Sequence, residues 1–293
     1  MTRRAGRLAL MLVMACSPTI GAGTSSSTVA PPTSRTTVAT TSVTVNTTRL
    51  PTGCPEGTGF VDAGRVMRVD QPTSDTNTLG LISWAADDGC ERLTVQFETT
   101  EGAPATTPPT VVVDFLESRQ VLRAWSDLDS TVVTDQVLET SLVDRLFVVR
   151  DLDGGMFLDL HLKGPVRARA VVSNSPARLT VEIEPGAQPF DSTAVVTGNV
   201  VVITPGAGTE TVAGTALDVT GYARTFEGSV LVIATVGDQV VSEATTTAGD
   251  STETWGEFRT SIRVPPGEVS LFVGEESASD GSRSGATINL TVR

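Results

Sequence analysis

Histidine, lysine and aromatic side chains are nearly missing from this 293-residue chain: His161 and Lys163 are single occurrences, and Phe, Trp and Tyr together make up 4%. A lone histidine cannot build a multi-histidine metal centre, and no serine sits in a G-x-S-x-G elbow to use it, so no catalytic or metal-binding set is expected. The chain also lacks a P-loop, a dinucleotide fingerprint and an EF-hand spacing, and no cofactor is expected. Past residue 15 no apolar run approaches the roughly 18 to 20 residues that cross a bilayer as a helix, which excludes a polytopic helical membrane protein. Basic residues are scarce: 21 Lys plus Arg stand against 34 Asp plus Glu, a formal net charge of -13. That balance repels phosphate polymers and argues against nucleic acid as a partner. What is present is 39% apolar residues, enough Val, Leu and Ile for one or two sizeable cores.

The first fifty residues read as an address and a tether. Arg3, Arg4 and Arg7 precede an apolar run from Leu8 to Ala15, the pattern of a secretory signal peptide. Leu12-Val13-Met14-Ala15-Cys16 resembles a bacterial lipobox, which implies cleavage before Cys16, a lipid on that residue and an extracytoplasmic protein anchored to the cell membrane. Residues 16–50 are dominated by Thr, Ser, Val, Ala and Pro. As a flexible tether they would span roughly 30 Å, and about 110 to 120 Å at full stretch. Removing residues 1–15 takes away three Arg and no acid, so the remainder carries 18 basic and 34 acidic residues, net -16. An anionic membrane surface does not attract such a chain, and the lipid must do the anchoring.

Beyond Pro51 the segments are short, rich in Val, Thr and Leu, and broken every eight to twelve residues by Gly, Pro, Asp or Asn. The expected fold class is all-β, two β-sandwich domains covering residues 51–186 and 187–293, with the break at Pro185-Gly186-Ala187-Gln188-Pro189. Arg92–Glu98 and Arg178–Glu184 alternate polar and apolar, so each places one face on a core. Phe147–Leu162 reads as a hairpin around Asp151–Gly155, and Ser118–Trp125 as either helix or strand. Seven strands are expected in the second domain: 200–203, 216–222, 229–236, 239–247, 255–264, 268–273 and 286–292.

Four motifs in the second domain resemble the immunoglobulin-like domain of bacterial spore germination: Ile203-Thr204-Pro205, Leu217–Gly228, Trp255-Gly256-Glu257-Phe258 and Glu276–Ser282. In that reading Gly221 ends a strand, Asp280-Gly281-Ser282 makes a turn, and Trp255 and Phe258 supply core volume. In the first domain Gly89–Leu93, Leu146–Asp151, Phe157–Leu162 and Ser175–Val181 resemble an AMIN-like domain. That resemblance implies envelope targeting, in some members through peptidoglycan, and neither resemblance implies a catalytic activity.

Site residues follow from chemistry. With Cys16 lipidated, Cys54 and Cys90 remain as an even pair, and a disulfide is expected in an oxidising compartment. Arg92, Arg150 and Arg178 lie beside strands and can hold carboxylates with their forked donors, or be solvated strand-face arginines. Trp84 and Trp125 can stack on sugar rings, or be core. His161 reads as a half-exposed strand histidine, since Leu158, Leu160 and Leu162 take the other face. Close carboxylates occur at Asp87-Asp88, Asp127/Asp129, Asp151/Asp153 and Glu275-Glu276. The expectation is therefore a non-enzymatic, lipid-anchored envelope protein that binds cell-wall material or another envelope protein. The alternative is an extracytoplasmic hydrolase working on the wall through an unfamiliar carboxylate site.

Overall fold

Alternating strands bury one face each only if a second sheet covers them, and in the computed structural model the chain solves this twice. The structure describes Cys54 and residues 58–293 except 88, 129–133, 213 and 251–254. The expected leader, the Cys16 lipidation site and the tether lie outside the described residues. The described part is nearly all strand, with one 3-10 turn at Phe226–Gly228.

In the first sandwich a four-stranded sheet runs β2 (Thr78–Asp87), β3 (Cys90–Glu98), β10 (Arg178–Pro185), β9 (Val166–Ser173). Facing it are β1 (Arg65–Val69), β4 (Val111–Phe115), β5 (Val121–Ser126), β8 (Met156–Leu162) and β7 (Val143–Arg150), with β6 (Thr134–Val137) also paired to β7. Leu93, Val95 and Phe97 of β3 and Leu179, Val181 and Ile183 of β10 meet Leu146, Val148, Leu158 and Leu160 in one core. Ser118–Trp125 resolves as strand β5 rather than helix, and the Phe147–Leu162 hairpin closes with Arg150 opposite Met156.

The second sandwich sets β17 (Gly256–Arg263), β14 (Ala216–Ala223), β12 (Val200–Ala207) and β11 (Thr193–Val196) against a five-stranded sheet. That sheet runs β13 (Glu210–Thr211), β19 (Arg283–Val292), β18 (Gly267–Glu276), β15 (Ser229–Val236), β16 (Gln239–Thr247). Val200, Val219, Val232, Phe258 and Leu271 belong to its core. Gly221 lies inside β14 rather than at its end; a β-carbon there would stand 2.0 Å from the Val201 carbonyl oxygen, so only glycine allows the two strands to pack this closely.

The two sandwiches share a sheet and a third core. Strand β7 meets β17 in a parallel bridge, Arg150 beside Gly256, with the Arg150 amide donating to the Trp255 carbonyl at 3.0 Å, so ten strands form one sheet. The outward faces of its two halves bury Val121, Phe147, Val149 and Phe157 against Val201, Ile203, Tyr222 and Trp255. Trp255 therefore fills the layer between the sandwiches and not the core of the second, because it precedes the register that turns Phe258 inward. Every residue of β8 is buried, one face in the first core and the other under the second sandwich.

A candidate binding face on the first sandwich

The outer face of the four-stranded sheet has no layer over it. Alternation turns Arg92, Thr94 and Gln96 of β3, Arg178, Thr180 and Glu182 of β10, and Arg167, Arg169 and Val171 of β9 away from the core. The antiparallel register sets Glu182 opposite both Arg92 and Arg169. Arg92 donates to Glu182 Oε1 through Nε at 3.0 Å and Nη2 at 2.5 Å, and Arg169 Nε donates to Oε2 at 2.5 Å. Burial opposes ionisation of Glu182, but the two guanidiniums outweigh it and hold the carboxyl below its ordinary value. One carboxylate thus aims two arginines across the sheet.

Arg178 completes the row. It is exposed, sits opposite Gln96 and Ser173, and has no acid partner among the described residues. Together with Thr94, Thr180, Val171 and Ser173 these side chains line a shallow groove of about 460 Å³. At the neighbouring edge Phe60 stands beneath Arg169 and Arg167, whose guanidinium carbons lie 4.8 and 5.5 Å from the ring centroid. The groove can accept a carboxylate or phosphate on the forked donor of Arg178, with apolar contact at Val171.

Of the residues expected to bind, the structure brings Arg92 and Arg178 together and disperses the rest. Trp84 is 2% exposed and belongs to the first core, because it shares its β2 face with Leu79 and Ile82; it offers no ring face to a ligand. Trp125 is half-buried on the opposite sheet, its Nε1 donating to Asp151 Oδ2 at 2.7 Å. Arg150 ends β7 and pairs with Asp250 of the second sandwich at 2.5 Å. Cys54 and Cys90 are joined in a disulfide. Arg169, Arg167, Glu182 and Phe60 were missed. The alternation of Val166–Ser173 carried the signal for the two arginines, but their pairing with Glu182 is a matter of register.

His161 is not half-exposed: it is buried, and its Nε2 and the Tyr222 hydroxyl share a hydrogen bond of 2.5 Å. Phe147 packs against it at 5.1 Å between centroids. Burial, helped by the Arg145 and Arg123 charges, lowers its pKa to about 3, so the ring is neutral at ordinary pH. Beside it Arg123 grips Asp159 with both forks, at 2.8 and 2.7 Å, and reaches Glu257 of the second sandwich at 3.4 Å. Burial opposes the Arg123 charge, yet Asp159 and Glu257 outweigh it and raise its pKa further.

The close carboxylates are mostly spoken for. Asp151 accepts from the Trp125 indole and the Asp153 amide, and Glu257 is contacted by Arg259 at 3.0 Å. Burial raises Glu257, as does its hydrogen bond to Asp151, while Asp151 is lowered against its own burial by bonds from Glu257, the Asp153 amide and Trp125. Glu275 accepts from Asn199 and from the Phe226 amide. Asp88 and Asp129 lie outside the described residues.

No curated protein and no solved structure matches the chain significantly. Residues 199–282, which take in β12 through β18 of the second sandwich, match the family model of the immunoglobulin-like domain of bacterial spore germination.

Proposed function

We propose that this protein is a non-enzymatic component of a bacterial cell envelope, held to the cell membrane by a lipid on Cys16. Its first, AMIN-like sandwich binds cell-wall material, and its immunoglobulin-like sandwich serves as a rigidly attached spacer or adhesion module. The observation that carries this reading is the uncovered arginine groove. Peptidoglycan stems present carboxylates, and Arg178 offers them a forked donor that no acid among the described residues occupies. The lipobox-like segment and the tether supply the matching location.

The two sandwiches share a core, so the test uses the whole chain and not its halves. Purified protein is expected to co-sediment with insoluble wall sacculi, to be released by about 0.5 M salt, and to lose retention at least about tenfold on Arg178→Glu. In cells, Cys16→Ser moves the protein from the membrane pellet to the soluble fraction. Wild-type protein left in the supernatant, or undiminished sedimentation of Arg178→Glu, overturns wall binding through this face and points to an envelope protein partner. Release of soluble wall fragments would favour the hydrolase instead.

A further inference from the structure

Strand registers gather several connections at one end of the molecule. Val200 lies opposite Ala223, Ala223 opposite Gly256, Ser229 opposite Thr247 and Glu276 opposite Arg283, while Arg150 sits beside Gly256. The β11–β12, β14–β15, β16–β17 and β18–β19 connections therefore emerge together, next to the β7–β8 turn of the first sandwich. At this end Phe226 is 68% exposed, more than any other large hydrophobic side chain among the described residues.

The loop that carries Phe226 is held from all sides. Its amide donates to Glu275 Oε2 at 2.9 Å, and Asn199 Nδ2 holds the other oxygen of that carboxylate at 2.8 Å. Arg224 donates to the Gly198 carbonyl through Nε and Nη2, at 2.9 and 2.7 Å. The Ala248 amide donates to the Gly228 carbonyl at 2.8 Å, and Thr225 is fully buried. Glu227 takes the left-handed conformation, φ 54°, which a residue with a β-carbon keeps only where its surroundings impose it. An aromatic ring displayed on an already ordered loop is the anchor type that binding surfaces use, because little freedom remains to be lost on contact.

The charge around it has one sign. Arginines here are matched: Arg150 with Asp250, Arg224 with Asp135 and Arg283 with Glu276. Glu227 and Asp280 have no cation among the described residues, so the uncancelled charge is negative. A second copy of the chain would bring the same sign, and an anionic bilayer would repel it. We infer that this end of the molecule is a docking surface for a protein partner that offers an apolar socket for Phe226 ringed by Lys and Arg. The surface shares no residue with the arginine groove, and its function does not depend on wall binding.

The test places a photocrosslinking benzoylphenylalanine at the exposed Ala278 of the full-length protein in cells that produce it. Illumination is expected to yield an adduct with one other protein, attached through a Lys- and Arg-rich segment. Phe226→Ala is expected to lower the adduct yield at least about tenfold, and Glu227→Lys combined with Asp280→Lys to do the same, with the thermal midpoint unchanged. The charge-reversal variant keeps the test decisive should Phe226→Ala disturb folding. An adduct with a second copy, with lipid or with an acidic segment overturns the inference. So does the absence of an adduct, or a yield indifferent to both variants.

Discussion

On the open sheet of the first sandwich, Glu182 of β10 holds Arg92 and Arg169 from the strands on either side; on the covered sheet, Asp159 of β8 holds Arg123 of β5, and Glu257 arrives from the second sandwich. Both rows come from alternating strands, and both use an acid to aim guanidiniums. Their surroundings differ. Side-chain exposure is 30% and 10% for Arg92 and Glu182, but 18% and 0% for Arg123 and Asp159. Water screens the first row and leaves it able to exchange partners, whereas the acid of the second is fully buried and its charge must be answered by the protein itself. A charged strand face becomes a binding surface or a structural joint according to what covers it.

Removing one acid from each row tests that contrast most severely. Asp159→Ala leaves Arg123 buried beside a hole and is expected to destabilise by about 3 to 5 kcal/mol, while Glu182→Ala is expected to lose about 1 kcal/mol or less. Urea unfolding curves measure both; equal losses would mean that the covered row is wetter than its burial suggests.

The next effect belongs to the open sheet. The Cys54–Cys90 disulfide ties the start of β3 to the segment ahead of β1 across a sequence separation of 36. Chain-entropy arguments give it about 3 to 4 kcal/mol, lost in Cys54→Ala/Cys90→Ala. Intact mass without reductant would reveal two free thiols if the bridge does not form in the cell.

The smallest effect isolates the covered face through pH. His161 has its folded pKa depressed to about 3, below the roughly 6.5 of an unfolded chain. The unfolded state then binds the extra proton between these values, so the stability this group contributes is complete above about pH 6.5 and lost as pH falls towards 3. Between pH 6.5 and 4.5 the wild type should lose about 2 to 3 kcal/mol more than His161→Gln. Being the only histidine, its ring resonances can be followed directly, and titration near pH 6 would contradict its burial.

Strand content was legible because a strand's signal is local. Alternation in Arg92–Glu98 and Arg178–Glu184 needed no partner to be read, and β15 and β16 have the bounds that turn residues at either side suggest. Strands β11 and β13 escaped because they have four and two residues, too short to show a period. The candidate site was half legible. Arg92 and Arg178 were visible as polar positions of alternating strands, but their union with Arg169 around Glu182 required the β3–β10–β9 order. Trp84 misled because an aromatic residue looks the same in sequence whether its face is inward or outward.

The sequence by itself determined that the chain is all-β, which residues of each strand share a face, and that Cys54 and Cys90 form an even pair once Cys16 is set aside. These follow from composition and from a period of two residues, both properties of short stretches. Only the tertiary structure decided which polar faces meet water. The alternation of β8 correctly sets Asp159 and His161 away from Leu158 and Leu160, but nothing local announces that the second sandwich closes over them. That closure depends on Tyr222, Trp255 and Glu257, with sequence separations from 61 (His161 to Tyr222) to 134 (Arg123 to Glu257), meeting β5, β7 and β8 through one shared sheet. The polar face of the β3, β10 and β9 strands received no such cover, and Arg178 remains open to solvent.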